Sequence, residues 1–325
     1  LFSNTTASNN TAVGYQAAYT NTTGGYITAF GYQAAYTSNN AGTICAIGYN
    51  ALKANTSGVD NTAVGAYNAL ASNTTGSYNV AVGRDTLASN TTGNNNTAVG
   101  YQAAYSNSTG TDITAIGRLA GYSSTVGLNT FVGSQAGYYN TSGTHNTSLG
   151  FAAYAANTTS ATGSYNTAIG DYSLYNNTTA SANTAVGYQA GYSNSTSNGN
   201  VFLGQQAGYS TTAGNNTIVG TQAGYSLTSG AGNTFVGPNN STNGSGYAMT
   251  TGSNNTILGG YTGNQGGLDI RTANNYIVLS DGAGNPRQII DSSGNVGIGT
   301  SSTSGNRLTV SLSLIHISEP TRRTP

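Results

Sequence analysis

The chain has 325 residues, of which eight are Lys or Arg and eight are Asp or Glu, so 5% of it is charged and its formal net charge is zero. Binding to phosphate backbones or to anionic lipid depends on clustered Lys and Arg, and this composition therefore excludes nucleic acid and membrane surfaces as partners. The single cysteine, Cys45, can form neither an internal disulfide nor a thiolate metal cage, and no apolar run reaches the roughly 20 residues that cross a bilayer.

A short unit of the form Asn-Thr-Ala-Val-Gly recurs fifteen times along residues 1–263, and eleven of the fourteen spacings between its glycines are 16 or 17 residues. Such a period is typical of a solenoid, in which each coil stacks on the next and insertions lengthen an outer loop. The glycine permits a bend or a close approach that a Cβ would obstruct. These anchor glycines are Gly14, Gly31, Gly48, Gly65, Gly83, Gly100, Gly117, Gly133, Gly150, Gly170, Gly187, Gly204, Gly220, Gly237 and Gly259.

Two adjacent apolar columns precede the anchor glycine. The residue directly before it is Val, Ile, Leu or Phe in all fifteen units, and the residue before that is apolar in fourteen, mostly Ala. Because successive strand residues point to opposite faces, one column must lie inside the coil and the other outside. We expect the column next to the glycine to be buried and the second column to face outward. The large members of this second column are Phe131, Phe202, Phe235, Ile218 and Ile257, and Ser148 is its polar exception.

Polar residues occupy the other positions of the unit. Asn stands four residues before the glycine in twelve units, giving way to Ile27, Ile44 and Ile113, and Thr stands three before it in twelve. In coils stacked about 4.8 Å apart, Asn side chains can hydrogen-bond from one coil to the next. The segment after the glycine, YQAAY at 15–19, is interpreted as a second short strand or a corner, and NTTG at 21–24 as a turn.

These patterns predict an all-β fold, a parallel β-solenoid or β-roll of about fifteen short coils, roughly 70 Å long. A helical fold is excluded because Asn, Thr, Gly and Ser are poor helix formers, and a disordered linker would not keep a large aliphatic residue in register fifteen times. Since monomers rarely expose a long apolar stripe, we expect a parallel homotrimer that buries it around a common axis.

The repeat and the segment after it resemble two protein families. NTAVGYQA at 96–103 and NTAVGYQAG at 183–191 resemble the head repeats of YadA-type trimeric autotransporter adhesins, which implies a left-handed, trimeric β-roll, although the coils of those heads are shorter. NYIVLSDG at 275–282, GNVGIGTSS at 294–302 and NRLTV at 306–310 resemble the junction that precedes an endosialidase-type intramolecular chaperone in bacteriophage tail fibres. That resemblance implies a fragment of such a fibre, ending ahead of the chaperone.

Charged residues are denser at the end of the chain than in the repeats, since seven lie in the first 260 positions and nine in the last 65. We therefore interpret residues 264–310 as a small β junction segment. Residues 311–325, SLSLIHISEPTRRTP, contain no Gly, Asn or Tyr and resemble translated sequencing-adaptor read-through. They are interpreted as a disordered tail or an artefact.

The acidic residues are too dispersed for catalysis. Glycoside cleavage needs two carboxylates roughly 5 to 9.5 Å apart, whereas the acids of the repeats lie in different coils and the later ones in turn sequences. Those acids are Asp60, Asp85, Asp112 and Asp171 in the repeats, followed by Asp269, Asp281 and Asp291. His145 has no Cys or carboxylate in a matching position. We predict no enzymatic activity, no metal site and no cofactor.

Tyrosine forms a broken column five residues after the anchor glycine. Aromatic rings beside Asn and Gln suit contact with sugar rings, but packing at a coil corner or between subunits is the interpretation we favour. The candidate contact residues are Tyr19, Tyr36, Tyr105, Tyr122, Tyr138, Tyr175, Tyr192, Tyr209 and Tyr225.

The sequence thus predicts a non-enzymatic, trimeric fibre, the shaft or head of a phage tail fibre in the virion that takes part in host-surface attachment. A bacterial trimeric adhesin at the cell surface is the alternative, and a glycan-cleaving tailspike is the third possibility. The expected partners are further copies of the chain and a host cell-surface glycan or protein.

Overall fold

The computed structural model describes residues 1–39, 42–156, 160–238 and 244–311, and within them it contains 21 strands and no helix. The first fifteen strands correspond one to one to the repeat units. They are β1 (Thr11–Val13), β2 (Ile27–Phe30), β3 (Ile44–Tyr49), β4 (Asn61–Tyr67), β5 (Val80–Val82), β6 (Thr97–Val99), β7 (Thr114–Ile116), β8 (Thr130–Val132), β9 (Thr147–Leu149), β10 (Thr167–Ile169), β11 (Thr184–Val186), β12 (Val201–Leu203), β13 (Thr217–Val219), β14 (Thr234–Val236) and β15 (Thr256–Leu258).

Each of these strands pairs in parallel with the strand of the next repeat, and the register joins equivalent positions. Thr11 lies opposite Thr28, and Val13 lies opposite Phe30. The same register continues to β14 and β15, where Val236 lies opposite Leu258. The predicted parallel β-solenoid of about fifteen turns is confirmed, and every column of the sequence repeat becomes a physical column with steps of about 4.8 Å.

The segment after the anchor glycine is a corner, not a second strand. Gln16 and Ala18 have φ angles of 55° and 48°, and the equivalent residues of later coils repeat this left-handed backbone. Such a conformation costs a non-glycine residue roughly 1–2 kcal/mol. Hydrogen bonds between coils offset that cost: the Ala18 N–H donates to the Ala34 carbonyl at 2.9 Å, and the Gln33 N–H donates to the Tyr15 carbonyl at 2.9 Å.

The anchor glycines are required by both backbone conformation and space. Thirteen of the fifteen have φ between 109° and 135°, a region that side chains with a Cβ rarely adopt. A Cβ on Gly14 would lie 2.5 Å from the carbonyl oxygen of Gly31, the anchor glycine of the next coil. Gly65 lacks the positive φ but meets the same obstacle, since its Cβ would lie 2.3 Å from the Gly83 oxygen.

The structure reverses the predicted burial of the two apolar columns. The column two residues before the glycine is the buried one, and Phe131, Phe202 and Ile218 are fully inaccessible. The column next to the glycine points outward, with Phe30 55% exposed and Leu203 46% exposed. The expectation that Phe131 and its equivalents form an external stripe is therefore wrong. The narrow interior is filled from two sides, by the strand and by the corner, which leaves the larger aliphatic column outside.

In several coils the strand and the corner compensate for each other in side-chain volume. Where the strand contributes Ala46, Ala63 or Ala81, the corner contributes Leu52, Leu70 or Leu87, all fully buried. Where the strand contributes Phe131, the corner residue is Gly137, and a Cβ there would lie 2.3 Å from the Phe131 ring. Ser148 is paired in the same way with the buried Tyr154. Close packing of this kind is what a narrow core needs to exclude voids.

The predicted asparagine column forms a buried ladder. The Asn79 side chain donates from Nδ2 to Asn61 Oδ1 at 3.1 Å, and the Asn79 N–H donates to the same oxygen at 2.9 Å. Asn79 Nδ2 also donates to the carbonyl of Gly93, in the next turn, at 2.9 Å. The amides thus satisfy backbone groups of neighbouring coils as well as each other, which buried polar groups require.

The sheet continues beyond the repeats. Six strands follow: β16 (Asn264–Gln265), β17 (Leu268–Asp269), β18 (Ile277–Ser280), β19 (Pro286–Ile290), β20 (Val296–Ile298) and β21 (Leu308–Val310). Strand β18 pairs in parallel with β15, so that Leu258 lies opposite Leu279, while β18, β19 and β20 form an antiparallel meander. The sheet therefore crosses the predicted boundary at 263/264 without a break. Of the predicted tail, residues 312–325 lie outside the described residues.

Candidate functional surface

The outer face of the long sheet carries three exposed columns. In β3, Cys45, Ile47 and Tyr49 point outward while Ile44 and Ala46 are buried. The outer stripe is defined here as the fifteen residues that directly precede the anchor glycines. It consists of Val13, Phe30, Ile47, Val64, Val82, Val99, Ile116, Val132, Leu149, Ile169, Val186, Leu203, Val219, Val236 and Leu258. The same face extends past the repeats through Leu279, Ile298 and Val310, which are also exposed.

The size of this face is that of a protein interface. Three columns span about 13 Å along a strand, and fifteen coils at about 4.8 Å each give a face on the order of 1,000 Å². One side of a standard interface is about 800 Å², so the whole face is of comparable size, although one of its three columns is Thr in twelve coils.

The predicted tyrosine column is a ladder of stacked rings in three runs. Tyr105 and Tyr122 stack with centroids 5.2 Å apart, Tyr122 and Tyr138 at 5.1 Å. Tyr175, Tyr192, Tyr209 and Tyr225 continue into Tyr247, and Tyr19 and Tyr36 continue from Phe2, all at 5.0 to 5.5 Å and within 13° of parallel. This arrangement is the tyrosine ladder.

Stacking determines which part of each tyrosine ring can contact a ligand. A ring inside a run is covered on both faces by its neighbours, so it offers only its edge and its hydroxyl, and cannot stack against a sugar ring. Ring faces are open only where the ladder ends or is interrupted. Burial raises the pKa of Tyr138 and of Tyr192, in line with rings that are packed and half covered.

Sequence reasoning missed a second aromatic column, one residue after the anchor glycine, or two after it for Tyr67, where the register between β3 and β4 shifts. Tyr15, Tyr32, Tyr49 and Tyr67 stack at 4.8 to 5.3 Å on the outer face. The Arg84 guanidinium continues this column, with its Cζ 5.7 Å from the Tyr67 ring centroid and 6.0 Å from that of Tyr101, which are cation–π distances. The recurrence of Tyr directly after glycine was the available signal.

The carboxylates of the later strands are engaged in turns. Asp291 accepts hydrogen bonds from the N–H groups of Ser293 and Asn295, both at 2.9 Å, and from Thr303 Oγ1 at 2.6 Å. The Thr303 hydrogen bond is the main reason why the pKa of Asp291 falls to about 2. Asp281 likewise accepts from Asn285 and Arg287, which lowers its pKa. These acids act as turn residues, as predicted.

Several of the remaining polar candidates also have structural partners. Asp269 forms an ion pair with Arg271 at 2.7 Å, Asp85 accepts from Asn68 at 3.2 Å, and the ring of His145 stacks on Tyr165 at 4.8 Å. Within the residues that the structure describes, no three His, Cys, Asp or Glu side chains are grouped so as to hold a metal ion.

Five of the Asn-X-Ser/Thr glycosylation sequons in the repeats are closed. Asn21, Asn73, Asn90, Asn107 and Asn194 are fully buried, and each side-chain amide donates to the carbonyl three residues on, which closes the turn in which it lies. The Asn21 Nδ2, for example, donates to the Gly24 carbonyl at 2.8 Å. In the folded chain these side chains are inaccessible to a modifying enzyme.

Comparisons with known proteins give no family for the chain. No family model, no curated protein and no solved structure matches it. A search of the described part of the chain for a helix long and apolar enough to span a bilayer found none.

Proposed function

We propose that the chain is the shaft or head of a non-enzymatic, trimeric fibre, of the kind that bacteriophage tail fibres use for attachment to a host surface. The observation that carries the proposal is the outer stripe. One large apolar residue per coil stands outside a stack of coils in register, over a length of roughly 70 Å. A face of this kind is sealed when copies of the chain align in parallel.

A closed parallel trimer buries the outer stripe more completely than an open assembly does. The same residues face the common axis in every copy, so the stripe is buried symmetrically and no unpaired face remains to recruit further chains. The face is weakly charged, since Arg84 and Arg118 are the cations of its aromatic column and Asp171 is the anion. The copies therefore meet without large like-charge repulsion.

The tail-fibre assignment is supported by the resemblance of segments 275–282 and 294–302 to fibre junctions. A trimeric bacterial surface adhesin is the second candidate, favoured by the resemblance of NTAVGYQA at 96–103 to adhesin heads. The first candidate places the chain in the virion tail fibre, and the second places it on the bacterial cell surface. Immunogold labelling of the producing culture separates them, because it marks either phage tails or cell envelopes.

The oligomeric state tests the proposal directly. Native mass spectrometry of the full chain is expected to give a trimer. We expect the double variant Val82→Glu and Val99→Glu, on adjacent coils of the outer stripe, to dissociate it, because three pairs of carboxylates would be buried at the axis.

The matched control places the same charges elsewhere. Thr75→Glu and Thr92→Glu lie in exposed turns next to the same coils, and this variant is expected to remain trimeric. Far-UV circular dichroism establishes that both variants are folded. A folded parent chain that is monomeric at micromolar concentration would refute the proposal.

A further inference from the structure

The tyrosine ladder is interrupted at one coil by an alanine. Between Tyr138 and Tyr175 the column contains Ala155, which is buried. The backbone keeps its course at this position, since the Tyr139 N–H donates to the Ala155 carbonyl at 3.1 Å. The interruption thus removes one ring from the stack and leaves the coil in place.

The missing ring leaves a cleft of about 270 Å³, whose walls include Tyr138 and Tyr175. Two ladder steps separate the ring planes of these walls by roughly 10 Å. A flat ring inserted midway would lie about 5 Å from each wall, which is the spacing found inside the ladder. Gln135, Tyr139, Ala152, Ala155 and Ala156 complete the lining, and the Tyr139 ring stands nearly perpendicular to that of Tyr138, with centroids 4.5 Å apart.

We propose that this cleft, the ring gap, binds one neutral hexopyranose residue between Tyr138 and Tyr175. The inference rests on the proposed attachment function and names the class of ligand that it would recognise. The apolar C–H faces of a pyranose stack on aromatic rings, while the Gln135 amide and the tyrosine hydroxyls can bond to sugar hydroxyls. The cleft is smaller than the roughly 300–1,000 Å³ pockets of drug-sized ligands, which suits a single ring.

The lining determines the charge of the ligand. No Asp, Glu, Lys or Arg is among the described residues that line the ring gap, so a neutral sugar fits better than a sialic acid or a uronic acid. A charged sugar would lose its hydration without gaining an ionic partner.

A free sugar also suits the ring gap better than a side chain of a sister copy. The lining residues all come from coil corners, and none belongs to the outer stripe that the proposed trimer buries. The cleft therefore stays open when the stripe is covered. The other interruption of the ladder differs, because Lys53, Ala71 and Ala88 lie between Tyr36 and Tyr105, too wide a gap for one ring to contact both walls.

Filling the ring gap tests the inference without removing any native contact. Saturation-transfer difference NMR is recorded on the full chain with methyl α-D-glucopyranoside, methyl α-D-galactopyranoside and methyl α-D-mannopyranoside as probes. We expect at least one of them to show signals from its ring protons. Ala155→Tyr, which supplies the missing ring, is expected to weaken this binding at least tenfold.

The control is Ala88→Tyr, which adds a ring to the same column next to Tyr105 and should leave binding within twofold. If Ala155→Tyr does not fold, Tyr175→Leu replaces it, because this variant removes one aromatic wall and is also expected to weaken binding at least tenfold.

Three outcomes overturn the inference: no probe binds the folded chain, binding survives in Ala155→Tyr, or binding is lost equally in Ala88→Tyr. Native mass spectrometry of the same samples separates this failure from that of the proposed function. A trimer that binds no hexopyranoside refutes the ring gap alone, whereas a monomer refutes the fibre.

Discussion

Compensation between strand and corner predicts an unusual mutational result in the core. Phe131 is fully buried and fills space that Gly137 leaves empty. Removing the ring by Phe131→Ala leaves a large cavity, and such changes cost roughly 3–5 kcal/mol. Gly137→Leu alone should be at least as costly, because even its Cβ would lie 2.3 Å from the Phe131 ring.

The two changes together should largely cancel. They recreate the arrangement that the chain already uses two coils later, where Ala168 on the strand packs with Leu174 in the corner, both fully buried. Leu174 tolerates the corner backbone, with a φ of 46° against 62° for Gly137. Volume-conserving exchanges usually cost less than about 1.5 kcal/mol, and the left-handed backbone costs a non-glycine residue roughly 1–2 kcal/mol. We therefore expect the double variant to lie within about 3 kcal/mol of the parent chain, well below the sum of the two single costs.

The measurement is a double-mutant cycle on the full chain, by urea unfolding followed by far-UV circular dichroism. Phe202→Ala with Gly208→Leu repeats the cycle at an equivalent site, since a Cβ on Gly208 would lie 2.2 Å from the Phe202 ring. If the costs of the single variants simply add in the double variant, core volume is not shared between strand and corner, and the reasoning fails.

Two further predictions concern hydrogen bonds. Asn96→Ala should lower the free energy of unfolding by roughly 1–3 kcal/mol, because it leaves the buried Ile113 N–H, now bonded to Asn96 Oδ1 at 3.0 Å, without its acceptor. Thermal unfolding compared with Thr92→Ala, in an exposed turn, checks this, and equal midpoints would contradict it. The Asp291 pKa lies near 2, below its ordinary 3.8, so the stability that Asp291 contributes is present above about pH 4 and is lost as the pH falls toward 2. The protection factors of the β19–β20 amides, which correct for the intrinsic pH dependence of exchange, should fall over that range, and D291N should remove the part of this fall that depends on Asp291.

Much of the fold could be predicted because the coils of the stack repeat one backbone course. Residues at equivalent positions of successive repeats therefore lie next to each other in the structure. The period, the anchor glycines and the asparagine ladder all follow from residues that recur at one position. The turn roles of Asp281 and Asp291 follow from local sequence as well. These features depend on one residue and its equivalents in adjacent coils, so a single sequence carries enough information.

The assignment of inside and outside was wrong although a signal was present. Ile27, Ile44 and Ile113 replace Asn four residues before the glycine, and isoleucine in place of a ladder asparagine indicates a buried position. Since the faces alternate, the residue two before the glycine must then be buried too, and the residue next to the glycine exposed.

Other features depend on pairs of positions within one coil. The pairing of Ser148 with Tyr154, or of Phe131 with Gly137, is visible in the sequence only once the corner is known to face the strand. The corner itself was hard to predict, because it places Gln16 and Ala18 in a left-handed backbone that neither residue favours. The ring gap at Ala155 becomes a cleft only when the neighbouring tyrosines are known to stack.

The exposure of the column next to the anchor glycine, which was predicted to be buried, strengthens the case that copies of the chain associate. With Ala in most strand positions of the core, a single coil buries little aliphatic surface, and its larger aliphatic residue stands outside. A side chain of that size contributes about 1.5–3 kcal/mol when fully buried, so covering the exposed third to half of it would add somewhat under 1 kcal/mol per coil. Nine of the fifteen side chains are at least a third exposed, so over these coils the gain is about 7 kcal/mol per chain, which lies within the range of a whole domain's stability. Folding and assembly of such a chain would therefore be coupled, and its stability would rise with its concentration.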